Sequence, residues 1–228
     1  MRAFVCICLA FVVLISCFLA QAIEGPFLSR YLDAYTDYDP AGSYYEFLDY
    51  SPDLSVQGMD DSIRRVCLTG LWMLYVTPNY HKLAANLQFG IDWCNNLTEE
   101  ISYPATASSL RYAGSPYALD DDYYNLYEGI SYAGDEFRGD TDASSLLDLD
   151  LRVSSLIVSG PSPWTFFTGL NFTGEALCIY PNEYDASLHV EIVDAVFLTG
   201  LADNSIRSVA KGCLTDNVYP GGRRYLEH

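Results

Sequence analysis

Histidine is nearly absent from this chain: His81, His189 and His228 are the whole supply. No G-x-S-x-G, no H-E-x-x-H and no Gly-Lys-Ser/Thr phosphate loop occurs. Serine-hydrolase, zinc-protease and P-loop chemistry therefore have no signature here. His189 lies in the alternating stretch His189-Val190-Glu191-Ile192-Val193-Asp194, which reads as a strand with a surface histidine beside acids. Acids are plentiful, so glycosidase-type carboxylate pairing depends on distances in space that sequence does not give. Cationic side chains are scarce, 12 Lys and Arg against 30 Asp and Glu, for a net charge of −18. That balance argues against nucleic acid and anionic membrane as partners, and leaves an extracellular protein or a cation. No C-x-x-C spacing exists for zinc. No long segment places apolar residues at i, i+3, i+4 and i+7, so helices are not expected.

What is present begins with a leader. Arg2, the apolar run Phe4 to Leu19 and Ala20-Gln21-Ala22 have the form of a secretory signal peptide over 1–22, cleaved after Ala22. The competing reading is a signal anchor. No later stretch is apolar enough to span a bilayer, so the mature protein is expected to be secreted. Cys6, Cys8 and Cys17 leave with the leader. Cys67, Cys94, Cys178 and Cys213 remain, an even number suited to two disulfides in an oxidising compartment. Three pairings are open, and two cysteines per half favour Cys67–Cys94 with Cys178–Cys213. The sequons Asn96-Leu97-Thr98 and Asn171-Phe172-Thr173 permit glycosylation at Asn96 and Asn171.

A repeated phrase organises the rest. It recurs as Asp61-Ser62-Ile63-Arg64-Arg65-Val66, Ser108-Ser109-Leu110-Arg111-Tyr112, Ser154-Ser155-Leu156-Ile157-Val158 and Asn204-Ser205-Ile206-Arg207-Ser208-Val209. Each copy is followed by a glycine: Gly70, Gly114, Gly160 and Gly212. The spacing is about 44–50 residues, a repeat period. Short Tyr-, Phe-, Val- and Ile-rich segments lie between turn residues: Tyr44 to Leu48, Trp72 to Val76, Tyr123 to Tyr127, Trp164 to Phe167 and Ala176 to Tyr180. Many short strands point to an all-β sandwich or barrel. Four repeats pair naturally, since one Greek key needs a second sheet to close a core. The expected organisation is a domain over 31–114, a linker over 115–122, a domain over 123–214 and a tail over 215–228.

At this level of detail the chain resembles the βγ-crystallin family. The family's motif is an aromatic, four residues, a second aromatic, one residue, then Gly. Tyr127…Tyr132-Ala133-Gly134 and Phe167…Phe172-Thr173-Gly174 match it. Trp164 precedes the fourth copy, which continues from Gly174 into Pro181-Asn182-Glu183-Tyr184, with Asn182 at a family Gly. Tyr75…Tyr80, with Trp72 ahead, keeps both aromatics but has Lys82 at the Gly. Tyr35…Pro40-Ala41-Gly42 keeps the Gly and has Pro at the second aromatic. The resemblance covers about 31–214, and implies two βγ-crystallin-like Greek-key β-sandwich domains in which these aromatics and glycines are scaffold.

Many members of the family bind calcium in paired loops marked by two Asn/Asp, two residues, then Ser/Thr-Ser. The third copy, Asp150-Leu151-Arg152-Val153-Ser154-Ser155, has one acid and both serines. The second, Pro104-Ala105-Thr106-Ala107-Ser108-Ser109, has no acid. In the first and fourth, Gln57-Gly58 and Gly200-Leu201 fall at the acid positions when Ser62 and Ser205 are taken as the final serine. The expectation is one weak calcium site at Asp150 and Ser154 and no other cofactor. Arg138-Gly139-Asp140 is an integrin-type tripeptide that a turn would expose; the alternative is a charged turn between strands. The reading is thus a secreted, non-enzymatic structural or binding module. Its alternatives are a weak calcium binder with nonstandard loops, and a secreted effector such as an inhibitor, a toxin-like protein or an RGD-dependent receptor ligand.

Overall fold

The structure, a computed structural model, describes residues 29–82, 84–97 and 106–220. The leader over 1–22, Pro104-Ala105, Thr98 and His228 lie outside the described residues. The first half forms β1 (Tyr31–Tyr35), β2 (Tyr44–Phe47), β3 (Arg65–Tyr75), β4 (Ala84–Asn96) and β5 (Ser109–Ala113). They make one sheet, β2-β1-β3-β4, with β5 also on β3. The second half forms β6 (Tyr123–Tyr127), β7 (Glu136–Gly139), β8 (Ser155–Ser159), β9 (Trp164–Phe167), β10 (Ala176–Ile179), β11 (Asn182–Asp185), β12 (Leu188–Val193) and β13 (Ser208–Lys211). These make the sheets β11-β12-β8-β6-β7 and β10-β9-β13. Short 3-10 turns, but no α-helix, join the strands among the described residues. The fold is all-β with Greek-key connections.

The pairing pattern of the first half recurs in the second. β1 pairs with β2 and with the start of β3, as β6 pairs with β7 and β8. The end of β3 pairs with β4 and β5, as β9 pairs with β10 and β13. Ser51 bridges Leu110 and Ala143 bridges Val209, so an early repeat reaches across to its partner's sheet in each half. The halves differ in that β4 runs on where its counterpart is split into β10 and β12, with β11 between, and in β3, for a local reason. β3 runs on through Gly70, whereas the equivalent path breaks after β8 at Gly160-Pro161-Ser162-Pro163. Proline has no N–H for the ladder.

Each half encloses its own core around one indole. Trp72 is fully buried, meets Tyr112 edge-on at 5.6 Å and donates its indole N–H to the Thr69 carbonyl. Trp164, its counterpart, meets Tyr124 edge-on at 4.9 Å. Strand alternation splits β3 between two duties. Trp72 and Leu74 face the first core, while Leu71, Met73 and Tyr75 pack against Tyr127, Tyr132, Ile157 and Val190 of the second half. Leu71 to Tyr75 are therefore all buried and read as an unbroken apolar run.

A buried arginine closes that seam. Arg111 on β5 donates to the Tyr75 hydroxyl at 2.9 Å, the Tyr132 carbonyl at 2.5 Å and the Gly134 carbonyl at 3.1 Å. Its guanidinium lies 4.7 Å from the ring centre of Tyr80 and 4.6 Å from that of Tyr127. Segment 115–122 is packed as well. Ser115 and Leu119 are buried, Asp120 meets His189 Nδ1 at 2.7 Å, and Asp122 pairs with Lys211 at 2.5 Å.

Candidate functional site

The loops that the family pairs around calcium must first be placed in register, and strand pairing does this. The first aromatic of each repeat faces one residue across its sheet: Tyr35 faces Arg65, Tyr75 faces Ser109, Tyr127 faces Ser155 and Phe167 faces Ser208. Those four residues are equivalent. Two positions earlier stands a buried apolar residue in every copy: Ile63, Ala107, Val153 and Ile206. Four positions earlier, Asp61, Leu151 and Asn204 all take left-handed backbone, with φ of 50°, 56° and 58°.

This register explains the serines. Ser155 Oγ donates to the Gly129 carbonyl at 2.6 Å and accepts the Tyr132 amide at 2.9 Å. Ser109 Oγ does the same with Thr77 (2.7 Å) and Tyr80 (3.3 Å), and Ser208 Oγ with Gly169 (2.7 Å) and Phe172 (3.0 Å). Each hydroxyl ties a folded-over hairpin whose second aromatic turns back edge-on to the first. The ring pairs Tyr75–Tyr80, Tyr127–Tyr132 and Phe167–Phe172 are 5.4, 5.7 and 6.0 Å apart. The hairpin of the second repeat folds over although Lys82 stands at the Gly. The first repeat, with Pro40 and Arg65, has neither the second aromatic nor the hydroxyl.

The expected alignment of the first and fourth loops is therefore corrected by three residues. Ser62 and Ser205 are not the final serines, and Gln57-Gly58 and Gly200-Leu201 are not the acid positions. The loops read Asp60-Asp61-Ser62-Ile63-Arg64-Arg65 and Asp203-Asn204-Ser205-Ile206-Arg207-Ser208. Both keep two acid-type residues and place an arginine where the family has its first Ser/Thr. The slip arose because Asp61-Ser62-Ile63 and Asn204-Ser205-Ile206 imitate the Ser-Ser-Leu phrase of the other two copies.

In the second half the loops interlock. The amide of Asn204 donates to the Val153 carbonyl at 3.1 Å and that of Val196 to the Ser154 carbonyl at 2.7 Å. Arg207 grips Asp150 with Nε at 2.9 Å and Nη2 at 2.6 Å. These hydrogen bonds hold the Asp150 carboxyl below its ordinary range. Ser154 turns instead to Asn204, Oγ to Oδ1 at 3.3 Å. Asp150 and Ser154, expected to share one ion, thus have different partners, and Asp150 already faces a guanidinium. The first half has the same backbone link, Asp61 amide to Ala107 carbonyl at 3.0 Å. Among the described residues no three His, Cys, Asp or Glu side chains gather as a metal cluster.

The other expected sites are placed as follows. Cys67 and Cys94 face each other across β3 and β4 with Cα atoms 4.0 Å apart, and are joined. Cys178 on β10 is joined to Cys213, just past β13, with Cα atoms 5.2 Å apart. Asn96 and Asn171 are exposed; the Asn96 carboxamide accepts from Arg65 at 2.8 Å, and Asn171 sits in the fourth folded hairpin. Arg138-Gly139-Asp140 spans the end of β7 and the bend after it, with Arg138 and Asp140 exposed. Arg138 and Gly139 belong to β7, paired with Asn125 and Tyr124. The Arg138 guanidinium stacks 4.6 Å over Tyr50, and a Cβ at Gly139 would come within 2.6 Å of the Tyr124 hydroxyl. That glycine therefore has a packing reason to be there.

The architecture is that of a two-part, all-β Greek-key protein with a tryptophan-centred core in each half. No family model matches the chain, and no curated protein matches it. Solved structures do. Geodin, a βγ-crystallin of Geodia cydonium, is 17% identical over 80% of this chain and 99% of its own, with a TM-score of 0.60. A βγ-crystallin from an archaeon is 23% identical over 40% of this chain and 96% of its own, at a TM-score of 0.34. One from Ciona intestinalis is 22% identical over 39% and 98%, also at 0.34. The chain has the βγ-crystallin fold.

Proposed function

We propose that this chain is a secreted, non-enzymatic βγ-crystallin-type structural or binding module whose fold stands without calcium. The observation that carries the reading is the two-pronged contact of Arg207 with Asp150. A guanidinium bound within the loop pair supplies the positive charge that a hard cation would otherwise bring to that carboxylate. Two disulfides, two indole-centred cores and the Arg111 seam give an extracellular domain pair its rigidity. The receptor-ligand alternative would require the exposed Arg138 side chain to leave the Tyr50 ring.

Weak calcium binding is a second reading, favoured at a different place from the one expected. Each half keeps one set of oxygen donors, Asp203 and Asn204 with Ser154, and Asp60 and Asp61 with Ser108, although Arg64 Nη1 lies 3.5 Å from the Asp61 carbonyl. Few charged ligands put such sites near about 10⁻⁴–10⁻³ M. Calorimetric calcium titration of the wild type, Asp150→Ala and Asn204→Ala tests both readings, alongside melting in calcium and in chelator. The expected result is an unchanged melting temperature in chelator. Any saturable heat should survive Asp150→Ala and shrink in Asn204→Ala. Tight binding that raises the melting temperature steeply would show that the fold depends on calcium, and overturn the first reading.

A further inference from the structure

The first repeat departs from the other three, and an exposed tyrosine, Tyr38, lies in its hairpin. That hairpin, between β1 and β2, has Pro40 at the second aromatic and Arg65 at the clamping serine. No ring folds back over it. Residues 36–41 are all exposed, and Tyr38 projects from a bend at Thr36–Tyr38. Two carboxylates flank it directly, Asp37 and Asp39. Each uses one oxygen to shape the turn, Asp37 accepting the Asp39 amide and Asp39 the Ala41 amide at 2.8 Å. Their other oxygens stay in solvent.

Among the described residues no other exposed tyrosine combines a ring without a stacking partner and two flanking carboxylates. Tyr44 rests on Tyr35, Tyr45 on Phe47 and Tyr184 on Phe89, with centroids 5.2, 4.7 and 4.7 Å apart. Tyr117 is the most exposed, but the acids after it are engaged: Asp120 by His189, Asp121 by the Ser115 hydroxyl and Asp122 by Lys211.

We propose that Tyr38 is a site of O-sulfation by a secretory-pathway tyrosine sulfotransferase. The proposal rests on the secretory reading above. A transferase that handles an anionic phosphosulfate donor carries a cationic cleft, and an exposed tyrosine between two exposed carboxylates is the segment such a field attracts. In the reaction the Tyr38 phenolic oxygen attacks the sulfur of the phosphosulfate. An oxygen–sulfur bond forms, the sulfur–oxygen bond to the donor's phosphate breaks, and the phenolic proton passes to a base of the transferase. The product is a sulfate ester beside two carboxylates, an anionic point suited to an arginine-rich partner.

The test has two arms. In the first, the purified full chain is incubated with tyrosine sulfotransferase and labelled phosphosulfate donor, beside an acidic tyrosine peptide as control. Label should enter the wild type and be lost in Tyr38→Phe, while Tyr117→Phe keeps it. In the second, protein is collected from the medium of secreting cells and weighed intact. It should carry the mass of one SO₃, resistant to phosphatase and absent from Tyr38→Phe. An unlabelled wild type beside a labelled control peptide overturns the proposal. So does label that persists in Tyr38→Phe, or secreted protein without the added mass. Failure to reach the medium would sink the secretory reading alone, and the first arm would still decide Tyr38.

Discussion

Ser155→Ala should be disproportionately costly for so small a change. Ser155 is fully buried, and its hydroxyl is the bond partner of both the Gly129 carbonyl and the Tyr132 amide. Alanine would fill nearly the same space but leave a buried donor and a half-buried acceptor without that partner. Each such group costs about 1–3 kcal/mol. The hairpin it ties also holds Ser131 and Tyr132 in left-handed backbone, at φ of 48° and 64°. Such conformations persist only when their surroundings enforce them. Partial relaxation of the hairpin limits the loss, so the expected total is about 2–4 kcal/mol. For a chain of this size that lowers the melting temperature by roughly 4–16 °C. The assay is urea and thermal unfolding followed by circular dichroism, with disulfides intact. The internal control is Arg65→Ala at the equivalent position of the first repeat, where no hydroxyl clamp exists. It should stay within about 0.5 kcal/mol of wild type. Equal losses at Arg65 and Ser155, or a Ser155→Ala protein as stable as wild type, would refute the clamp. Ser208→Ala provides an independent repetition in the fourth copy.

Two further perturbations probe the seam and the second core. Arg111→Met removes a buried cation that three acceptors and a set of tyrosine rings are arranged around. The Tyr132 carbonyl keeps the Tyr75 hydroxyl as a donor at 2.8 Å, but the Gly134 carbonyl loses its Arg111 bond. The expected cost is about 1–3 kcal/mol in urea unfolding, and a loss below about 0.5 kcal/mol would show that the rings alone hold the halves together. Glu191 is buried beside Asn182, and burial raises its carboxyl to about 7. A raised carboxyl favours the fold while protonated, so its contribution is complete below the unfolded value near 4.3 and declines until about pH 7. Glu191→Gln should therefore stabilise by about 1–3 kcal/mol at pH 8 and by almost nothing at pH 4. Equal effects at both pH values would remove ionisation from the explanation.

Local patterns were readable in the sequence, and contacts between distant residues were not. Trp164–Phe167 and Tyr123–Tyr127 form strands with the boundaries expected, because alternation and flanking turn residues act within a few positions. The aromatic–aromatic–Gly motif is equally local. Arg111, by contrast, looks like one more repeat residue, and its partners Tyr132 and Gly134 come from the next repeat. Nor does anything near Ser155 announce a bond to Gly129, 26 residues away. One signal was available and not used: the buried apolar residue at Ile63, Ala107, Val153 and Ile206. Aligning on that residue rather than on the Ser-Ser phrase places Asp60, Asp61, Asp203 and Asn204 correctly.

The corrected register also gives the arginines a common logic. Arg64 and Arg207 stand at one position, and their amides donate to the carbonyls of Tyr35 and Phe167, each at 2.8 Å. Only Arg207 has an acid at the facing position, Asp150; in the first half that position falls at Pro104-Ala105. A guanidinium with a carboxylate opposite becomes a two-pronged tie between loops, and one without it does not. Loss of the serine oxygen and gain of a fixed positive charge both oppose a divalent cation at that half of each loop pair, since like charges within a few ångströms repel. The other half keeps its serine, Ser154 or Ser108, although in the first half Arg64 Nη1 lies 3.5 Å from the Asp61 carbonyl. Arg207→Ser should therefore weaken the loops without calcium, and make the melting temperature calcium-dependent where the wild type's is not.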